Sequence, residues 1–343
     1  MGYPPDVKAV GVKGKGDEAI LQVVETSHPD LAEDSVRIAI SAAGLNRADL
    51  LQRRGLYPPP PGAPETLGLE GAGTVIEAAP GVVSPAVGDR AMALVPGGGQ
   101  AEQAVVHRGS SMPVPDHFTD AEAGAFPEVF LTAHLNLFVL GDLAPGRTAL
   151  VHGGSGGVGT AAIALARLAG ARIIITAGSS DRCRRCRDLG ADAAVDYRNE
   201  DFETVCLELT DGGGVDVVLD CIGGPYLEKN LRVLAMDGRL VAIGLMGGPK
   251  AELDMHRLLT RRLRVIGSTL RALSAARKAE IVSSFLDRFG DRGLAGPVDC
   301  NERTELSVDS LQLCDVHVKE ADGVALDALT PGFAATHVRN CLL

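Results

Sequence analysis

The chain has no tryptophan and only four tyrosines and eight phenylalanines among 343 residues, so aromatic platforms for stacking nucleobases are not expected. Asp and Glu outnumber Lys and Arg by 44 to 33, and the net charge of −11 also argues against nucleic acid as a partner. No apolar run is long enough to span a bilayer. The first residues lack the basic and apolar segments of a secretory signal. We therefore expect a cytoplasmic protein without membrane association.

Cysteine is absent before Cys183, and the odd total of seven is irregularly spaced. This usage is typical of free thiols in a reducing compartment. Cys183 and Cys186 form a C-x-x-C motif, but it lies in an expected helix without a second pair nearby. We expect no metal there, and a redox pair stays an open alternative.

Glycine, in contrast, is concentrated in the segment 148–160. A short apolar run, 149–151, predicts a buried strand, and 160–170 has helical spacing that ends in glycine. Between them, Gly154, Gly156 and Gly159 match the G-x-G-x-x-G pattern in its required strand-to-helix context. Such glycines permit a tight turn, close approach of a pyrophosphate and close helix–strand packing, and the helix N-terminus attracts phosphate. The segment predicts a dinucleotide site.

Three regions follow one another along the chain. Residues 1–125 carry short strand-like runs separated by proline and glycine turns, which predicts an antiparallel β-barrel domain. Residues 126–265 alternate strand and helix signals, which predicts a Rossmann-type α/β domain with a doubly wound parallel sheet. Residues 266–343 are less regular. The strands expected in the middle region are Ala149–His152, Arg172–Ala177, Ala193–Asp196, Asp216–Asp220, Arg239–Ile243 and Arg264–Ile266.

The end of the second of these strands favours NADP(H) over NAD(H). An NAD site usually places an acidic residue here to hold the ribose hydroxyls, whereas this chain has Gly178 and Ser179, followed by Arg182. A small hydroxyl-bearing pocket beside an arginine suits a 2′-phosphate. Asp181 is the counter-argument, because its carboxylate could contact a ribose hydroxyl. Ser179 could also simply cap the next helix, and both interpretations can hold together.

Other strand ends contribute further expected contacts. Tyr197 follows the third strand and could close over the same phosphate, and glycine-bearing loops follow the strands 216–220 and 239–243. Ordinary strand-to-helix turns are the alternative for each loop alone. The complete set of expected cofactor contacts is Gly154, Gly156, Gly157, Val158, Gly159, Gly178, Ser179, Arg182, Tyr197, Cys221, Ile222, Gly244, Met246, Gly247 and Ser268.

Together with the glycine motif, six further segments carry a family resemblance: Ala42–Gln52, Gly55–Pro59, Leu67–Gly73, Gly88–Arg90, Pro96–Ala101 and Phe126–Ala133. The chain resembles the medium-chain dehydrogenase/reductase superfamily, and within it the quinone oxidoreductase (zeta-crystallin-like) group. The resemblance implies a GroES-like catalytic domain over 1–125, an NADP-binding Rossmann domain over 126–265 and a return segment over 266–343. It also implies a homodimer formed through the cofactor domain.

The resemblance also indicates whether the chain has the ligands for a zinc ion. Where zinc-dependent members of the superfamily have a cysteine and a histidine ligand, this chain has Asn46 and Leu69, and Glu128 lies near the later ligand region without a cysteine. No zinc and hence no Lewis acid is expected. The implied activity is transfer of hydride from NADPH to a quinone. The alternatives are an NADPH-dependent enone or alkenal reductase, or a weakly active or non-catalytic NADPH-binding protein.

The resemblance places four residues beside the nicotinamide: Asn46, Asp49, Tyr57 and Thr132. Asn46 would hydrogen-bond a substrate oxygen, Tyr57 would cover the site or donate a proton, and Thr132 would orient the carboxamide. The alternatives are that Asn46 and Asp49 cap a short helix and that Tyr57 is only a loop residue. His152, on a buried strand, is expected to be a core residue.

From about Cys300 onwards the family pattern is lost, and no terminal Gly-Lys strand is recognisable. An altered reading frame or alternative splice would explain the change. It predicts a β domain that lacks a strand and exposes an unpaired sheet edge, with lower stability and weakened catalysis. The alternative is a divergent tail whose pairing the sequence does not reveal.

Overall fold

A computed structural model of the chain describes residues 7–27, 29–293 and 336–339. The strands are β1 (Val7–Lys13), β2 (Ile20–Thr26), β3 (Ser35–Leu45), β4 (Glu70–Ala78), β5 (Arg90–Leu94), β6 (Gln103–His107), β7 (Ser111–Pro113), β8 (Thr148–His152), β9 (Arg172–Ala177), β10 (Ala193–Asp196), β11 (Val215–Asp220), β12 (Leu234–Ala242), β13 (Arg264–Gly267) and β14 (Thr336–Arg339). The helices are α1 (Arg47–Arg53), α2 (Asp120–Gly124), α3 (Pro127–His134), α4 (Gly157–Leu168), α5 (Ser180–Asp188), α6 (Phe202–Leu209), α7 (Leu227–Val233), α8 (Met255–Thr260) and α9 (Ala275–Gly293), and a π-helical turn, Leu135–Leu140, follows α3.

The described residues form two compact units. The first contains 7–128 without residue 28, together with 270–287 and 336–339. The second contains 129–269 and 288–293. None of the helices in these ranges combines the length and apolar character needed to cross a lipid bilayer.

The first unit is built on a sheet in which every pair of strands but β14–β3 is antiparallel, largely as the sequence predicts. Its strands run in the order β14-β3-β4-β5-β7, and β6 pairs with the first half of β3. Alternating apolar side chains of these strands, Val36, Ile38 and Val75 among them, form the buried core of the barrel. A separate antiparallel pair, β1 and β2, completes the described strands of this unit.

The second unit is a six-stranded parallel sheet in the order β10-β9-β8-β11-β12-β13. Its central strands are mostly apolar because helices cover both faces of such a sheet, and β8 is buried at every position. The chain runs outward from β8 through β9 to β10 and then returns to the other side of β8 as β11. The carboxyl ends of β8 and β11 therefore flank the topological switch point, where ligands of open α/β sheets bind. The predicted doubly wound Rossmann fold is confirmed.

The expectation of an unpaired sheet edge at the C-terminus is wrong for the part of the tail that the structure describes. Thr336–Arg339 forms β14 and pairs in parallel with Ala42–Leu45 of β3. The sequence did not reveal this pairing because β14 carries no family motif and its partner β3 lies near the other end of the chain. The rest of the departing segment, 300–335 and 340–343, lies outside the described residues.

Candidate functional site

The first unit contains a buried polar cluster that begins at Asn46 and Asp49. Asn46 lies between β3 and α1, and its backbone N–H donates to Oδ2 of Asp49 at 2.8 Å. Asp49 thereby fulfils the reach-back half of a helix capping box. Its carboxylate also accepts hydrogen bonds from the backbone N–H of Gly68 at 3.2 Å and from Nε2 of Gln100 at 3.1 Å. The capping role that the sequence left open for Asp49 is therefore real.

Glu70 joins this corner to helix α3. Its side chain is fully buried, and Oε1 accepts a hydrogen bond from Nδ2 of Asn46 at 2.8 Å. Oε2 accepts a hydrogen bond from the backbone N–H of Glu128 at 2.8 Å. One carboxylate thus fixes both the Asn46 amide and the first turn of α3. One of the two amide hydrogens of Asn46, which the resemblance assigns to a substrate oxygen, is engaged inside the protein.

Two glycines make room for the cluster. A Cβ on Gly44 would stand 2.0 Å from Oε1 of Glu70, so any side chain there would displace the carboxylate. Gly68 has a φ of +104°, and a Cβ on it would stand 2.2 Å from the backbone nitrogen of Gln100. Both positions require glycine if Glu70 and Asp49 are to keep their partners.

Two carboxyl groups of the cluster hold protons far more tightly than usual. Burial raises the pKa of Asp49 to about 6, although its hydrogen-bond donors and Arg271 pull in the other direction. Burial and the nearby Asp49 carboxylate raise the pKa of Glu128 to about 7, against the opposing charges of Lys278 and Arg271. Such shifts concentrate at functional sites because proton transfer near neutral pH needs groups of this kind.

Arg271 lies in the segment that follows the second unit and links several parts of the cluster by hydrogen bonds. Its guanidinium is buried and donates to the carbonyl oxygens of Pro96 and Tyr57, at 2.7 and 3.1 Å, and to Oε1 of Gln52 at 2.8 Å. It also lies over the Tyr57 ring, 5.3 Å from the ring centroid. Lys278 of α9, also buried, donates from Nζ to the carbonyl oxygen of Arg271 at 2.8 Å. Tyr57 is therefore held against a buried cation.

Sequence reasoning missed Arg271, Lys278, Glu70 and Gln100. Arg271 lies 214 residues from Tyr57 along the chain, and no motif surrounds it. A buried-charge argument could have drawn attention to Glu70, because it is an acidic residue followed by the small apolar run Gly71–Gly73. Thr132, the fourth expected site residue, lies in the second unit, where its carbonyl oxygen accepts a hydrogen bond from Nδ2 of Asn136 at 2.7 Å.

The glycine loop of the second unit has the geometry that a dinucleotide requires. A Cβ on Gly154 would stand 2.3 Å from Cβ of Ile175, and a Cβ on Gly159 would stand 2.5 Å from the carbonyl oxygen of Gly153. Loop, helix and sheet therefore pack more closely than any side chain allows. Helix α4 begins after Gly156, and no side chain caps its first N–H groups. These groups would receive the pyrophosphate when the cofactor binds.

All fifteen expected cofactor contacts lie at the carboxyl ends of the parallel strands or in the loops and first helical turns that follow them. Backbone hydrogen bonds join neighbouring loops: Met246 donates to the carbonyl oxygen of Cys221 at 3.1 Å, and Gly247 donates to that of Ile222 at 2.7 Å. Ser268, after β13, donates to the carbonyl oxygen of Ala242 at 3.0 Å. The loops thus form one continuous rim along the edge of the sheet.

The corner after β9 contains an arginine that is free to bind an anion. Ser179 caps α5 by accepting a hydrogen bond from the backbone N–H of Arg182 at 3.3 Å. Asp181 pairs with Arg184 and Arg185. In the described part of the chain, no carboxylate pairs with the exposed side chain of Arg182. A Cβ on the neighbouring Gly178 would stand 2.7 Å from the phenol oxygen of Tyr197, so that tyrosine covers this corner.

Two other residue sets have structural roles. His152 is buried, and its ring nitrogens bond Oδ1 of Asn230 at 2.8 Å and Oγ1 of Thr176 at 3.1 Å. Burial lowers the pKa of His152, against the opposing charge of Asp220. Cys183 and Cys186 are both buried, which raises the pKa of each thiol, that of Cys186 to about 12. Protonated buried thiols are poor nucleophiles, which argues against a redox pair.

Comparison with known proteins identifies the family. The profile of the alcohol dehydrogenase GroES-like domain matches residues 32–139, and the profile of the zinc-binding dehydrogenases matches residues 157–287. The quinone oxidoreductase-like protein 2 homologue of Nematostella vectensis is 30% identical over 275 residues, which cover 79% of this chain and 75% of that protein. The chain belongs to the medium-chain dehydrogenase/reductase superfamily. Within the superfamily it falls in the quinone oxidoreductase group, as predicted.

Solved structures and a second relative broaden the comparison. The Escherichia coli quinone oxidoreductase complexed with NADPH has a TM-score of 0.71 and 27% identity, and the match covers 85% of this chain and 90% of that one. The CurK enoyl reductase has a TM-score of 0.72 and 26% identity, with coverages of 86% and 91%. The Mycobacterium marinum phenolphthiocerol synthesis polyketide synthase Pks15/1 is 39% identical over 238 residues. The match covers 69% of this chain but only 11% of the synthase.

The residues of this chain do not fit the zinc that one family profile is named after. Asn46 and Leu69 supply neither the thiolate nor the imidazole that zinc prefers. Among the described residues, no group of three or more His, Cys, Asp or Glu side chains is arranged to hold a metal ion.

Replacing Asp49 by Asn tests the strength of the buried cluster. Since the folded-state pKa of Asp49 is raised to about 6, the folded protein keeps a proton that the unfolded chain releases at lower pH. The contribution of Asp49 to the free energy of unfolding is therefore fully present below about pH 4, and it is lost as the pH rises to about 6. Thermal unfolding midpoints measured from pH 4 to 7 should fall in this window for the wild type and fall less for Asp49→Asn. Asp188→Asn on exposed α5 is the matched control. A constant offset between wild type and Asp49→Asn at every pH would contradict the assignment.

Proposed function

We propose that the protein is an NADPH-dependent, zinc-independent oxidoreductase that reduces quinones. The observation that carries this proposal is the combination of a complete dinucleotide-binding rim with a buried carboxyl cluster where zinc-dependent relatives have metal ligands. Without a Lewis acid, the acceptor has to take hydride readily, and quinones do so. The likeness to the Escherichia coli quinone oxidoreductase supports the acceptor class and the cofactor.

When bound, NADPH supplies the hydride. In this proposal the glycine loop and the N-terminus of α4 hold the pyrophosphate, and Ser179, Arg182 and Tyr197 hold the 2′-phosphate. Asn46, Asp49 and Tyr57 contact or orient the substrate, and Thr132 orients the carboxamide. The domain assignment is part of the same proposal, with catalytic residues over 1–125, cofactor binding over 126–265 and a return segment after 266. Orientation of the two reactants and exclusion of water are the contributions of the protein.

Reduction of an enone or an enoyl thioester is the second candidate. The TM-score of 0.72 to the CurK enoyl reductase and the 39% identity to a polyketide synthase favour it. Both reactions accept hydride from the same cofactor, but the alkene also needs a proton on carbon.

Steady-state NADPH oxidation by the purified protein with a panel of quinones and a panel of enones separates the candidates. We expect a higher kcat/KM for quinones, because they accept hydride without protonation at carbon. Turnover of the enones alone would establish the second candidate. Tight NADPH binding without oxidation by either panel would show a non-catalytic NADPH-binding protein.

Arg182→Met tests the choice of cofactor. Loss of a charge-assisted contact to a phosphate should raise the Kd for NADPH about 10-fold or more, while the Kd for NADH stays the same. Both constants can be measured by nucleotide fluorescence. Arg184→Met, on the same helix but paired with Asp181, is the matched control. Equal weakening of both nucleotides would overturn the assignment to the 2′-phosphate.

We also propose that two copies associate through the β13 edge of the second unit. This strand is the last in the described sheet, and Val265 on it is 45% exposed. Helix α8 beside it buries none of its residues, and its Met255 and Leu259 are 54% and 71% exposed. An unpaired edge with apolar neighbours is a suitable surface for strand pairing between copies.

Val265→Asp combined with Leu259→Glu should convert a dimer into a monomer in sedimentation velocity, because both charges would be buried on association. Val83→Glu in the first unit, where the side chain is 86% exposed, is the control for an added surface charge. A wild-type monomer at micromolar concentration, or a double variant that stays dimeric, would exclude this interface.

A further inference from the structure

Glu128 is anchored in the same hydrogen-bonded chain as the expected substrate contact Asn46. It is the second residue of α3, and its backbone N–H donates to Oε2 of Glu70, whose Oε1 accepts from the Asn46 amide. Glu128 as a whole residue is half-buried. Its main chain is held in place by the buried Glu70 carboxylate.

The charged surroundings of Glu128 come from four elements. The Asp49 carboxylate of α1 repels a negative charge on Glu128, and the phenol of Tyr57 lies within electrostatic range. Arg271 from the loop before α9 and Lys278 from α9 attract such a charge. Both cations are already committed to protein acceptors: Arg271 to carbonyl and amide oxygens, and Lys278 to the carbonyl oxygen of Arg271.

Asp49 and Glu128, the two carboxyl groups with raised pKa values, differ in the hydrogen bonds that they accept. Asp49 accepts three hydrogen bonds, from Asn46, Gly68 and Gln100, and is fully engaged in holding its corner together. Within the ranges that the structure describes, no group donates a hydrogen bond to the Glu128 carboxyl. A carboxyl that is anchored by its backbone but free at its oxygens can exchange a proton without breaking the fold.

We propose that Glu128 is the general acid of the reduction and donates its proton to the substrate oxygen on which negative charge develops. This inference rests on the proposed function. The substrate gains a hydride from NADPH, which leaves NADP⁺, and gains one proton as the O–H bond of Glu128 breaks and a new O–H bond forms on the substrate. The remaining carboxylate takes a proton from water before the next turnover. Hydride and proton together account for the two electrons and two hydrogens of the reduced product.

Tyr57 is the competing donor, and the structure favours Glu128 over it. Burial and the nearby Glu128 raise the pKa of the Tyr57 phenol above its usual value, further from neutral pH. The pKa of Glu128, about 7, matches the range in which an acid is both populated and able to release its proton.

Glu128→Gln, which keeps the shape of the side chain and removes the proton, tests the inference. We expect kcat at pH 6 to 7 to fall about 100-fold, in line with the usual contribution of a general acid, while the Kd for NADPH is unchanged. The wild-type rate should fall as the pH rises through about 7, and the variant should lack this step. Glu128→Asp should recover part of the rate and the pH step. Glu252→Gln, at an exposed glutamate of the second unit, should change neither.

A second readout does not depend on turnover. Infrared difference spectra of the cofactor-free protein should show a protonated carboxyl that titrates near pH 7 in the wild type and is absent in Glu128→Gln, and unfolding midpoints check that each variant folds. A Glu128→Gln protein that keeps kcat within about threefold of wild type and retains the pH step would overturn the inference and leave the proposed function intact. A wild type that oxidises NADPH with neither quinones nor enones would instead reject the proposed function, and the inference with it.

Discussion

The buried carboxylate of Glu70 is the constraint on which the rest of the candidate site depends. It is fully shielded from solvent, and its partners include the Asn46 side-chain amide and the Glu128 backbone N–H, each at 2.8 Å. Removing either donor would leave a buried acceptor short of a partner, which typically costs about 1–3 kcal/mol and more for a charged group. Since these bonds join β3, β4 and α3, the polar cluster and the fold of the first unit stabilise each other.

Around this carboxylate, the two carboxyl groups with raised pKa values have different surroundings. Asp49 accepts three hydrogen bonds at the junction of β3 and α1, whereas no donor to the Glu128 carboxyl occurs among the described residues. Arg271 and Lys278 supply positive charge, and the donors described for them are directed to neutral oxygens. The cluster can therefore hold a proton near neutral pH, which suits the reduction without metal that we propose.

The cofactor half was far more predictable from the sequence than the polar cluster. The expected strands Arg172–Ala177 and Ala193–Asp196 match β9 and β10 because short apolar runs between helices have few alternative structures. The glycine loop was recognisable since its steric demands are local. The roles of Glu70, Gln100 and Arg271 were not predicted because their partners lie 24 to 219 residues away along the chain. Only the folded chain brings them together. Strand β12 begins five residues earlier than expected, at Leu234. The sequence did not predict its first half because polar residues there interrupt the apolar pattern of a strand. Strand β14 was missed for the same reason as Arg271, since its pairing with β3 is entirely long-range.

In the function that we propose, buried carboxyl groups, and not a metal ion, prepare this protein for hydride transfer. The most direct test is NADPH oxidation with a quinone by purified protein before and after exhaustive dialysis against a zinc chelator, with the zinc content determined in parallel. We expect unchanged turnover and no stoichiometric zinc. Loss of turnover on chelation, restored by added Zn²⁺, would exclude this role of the carboxyl groups.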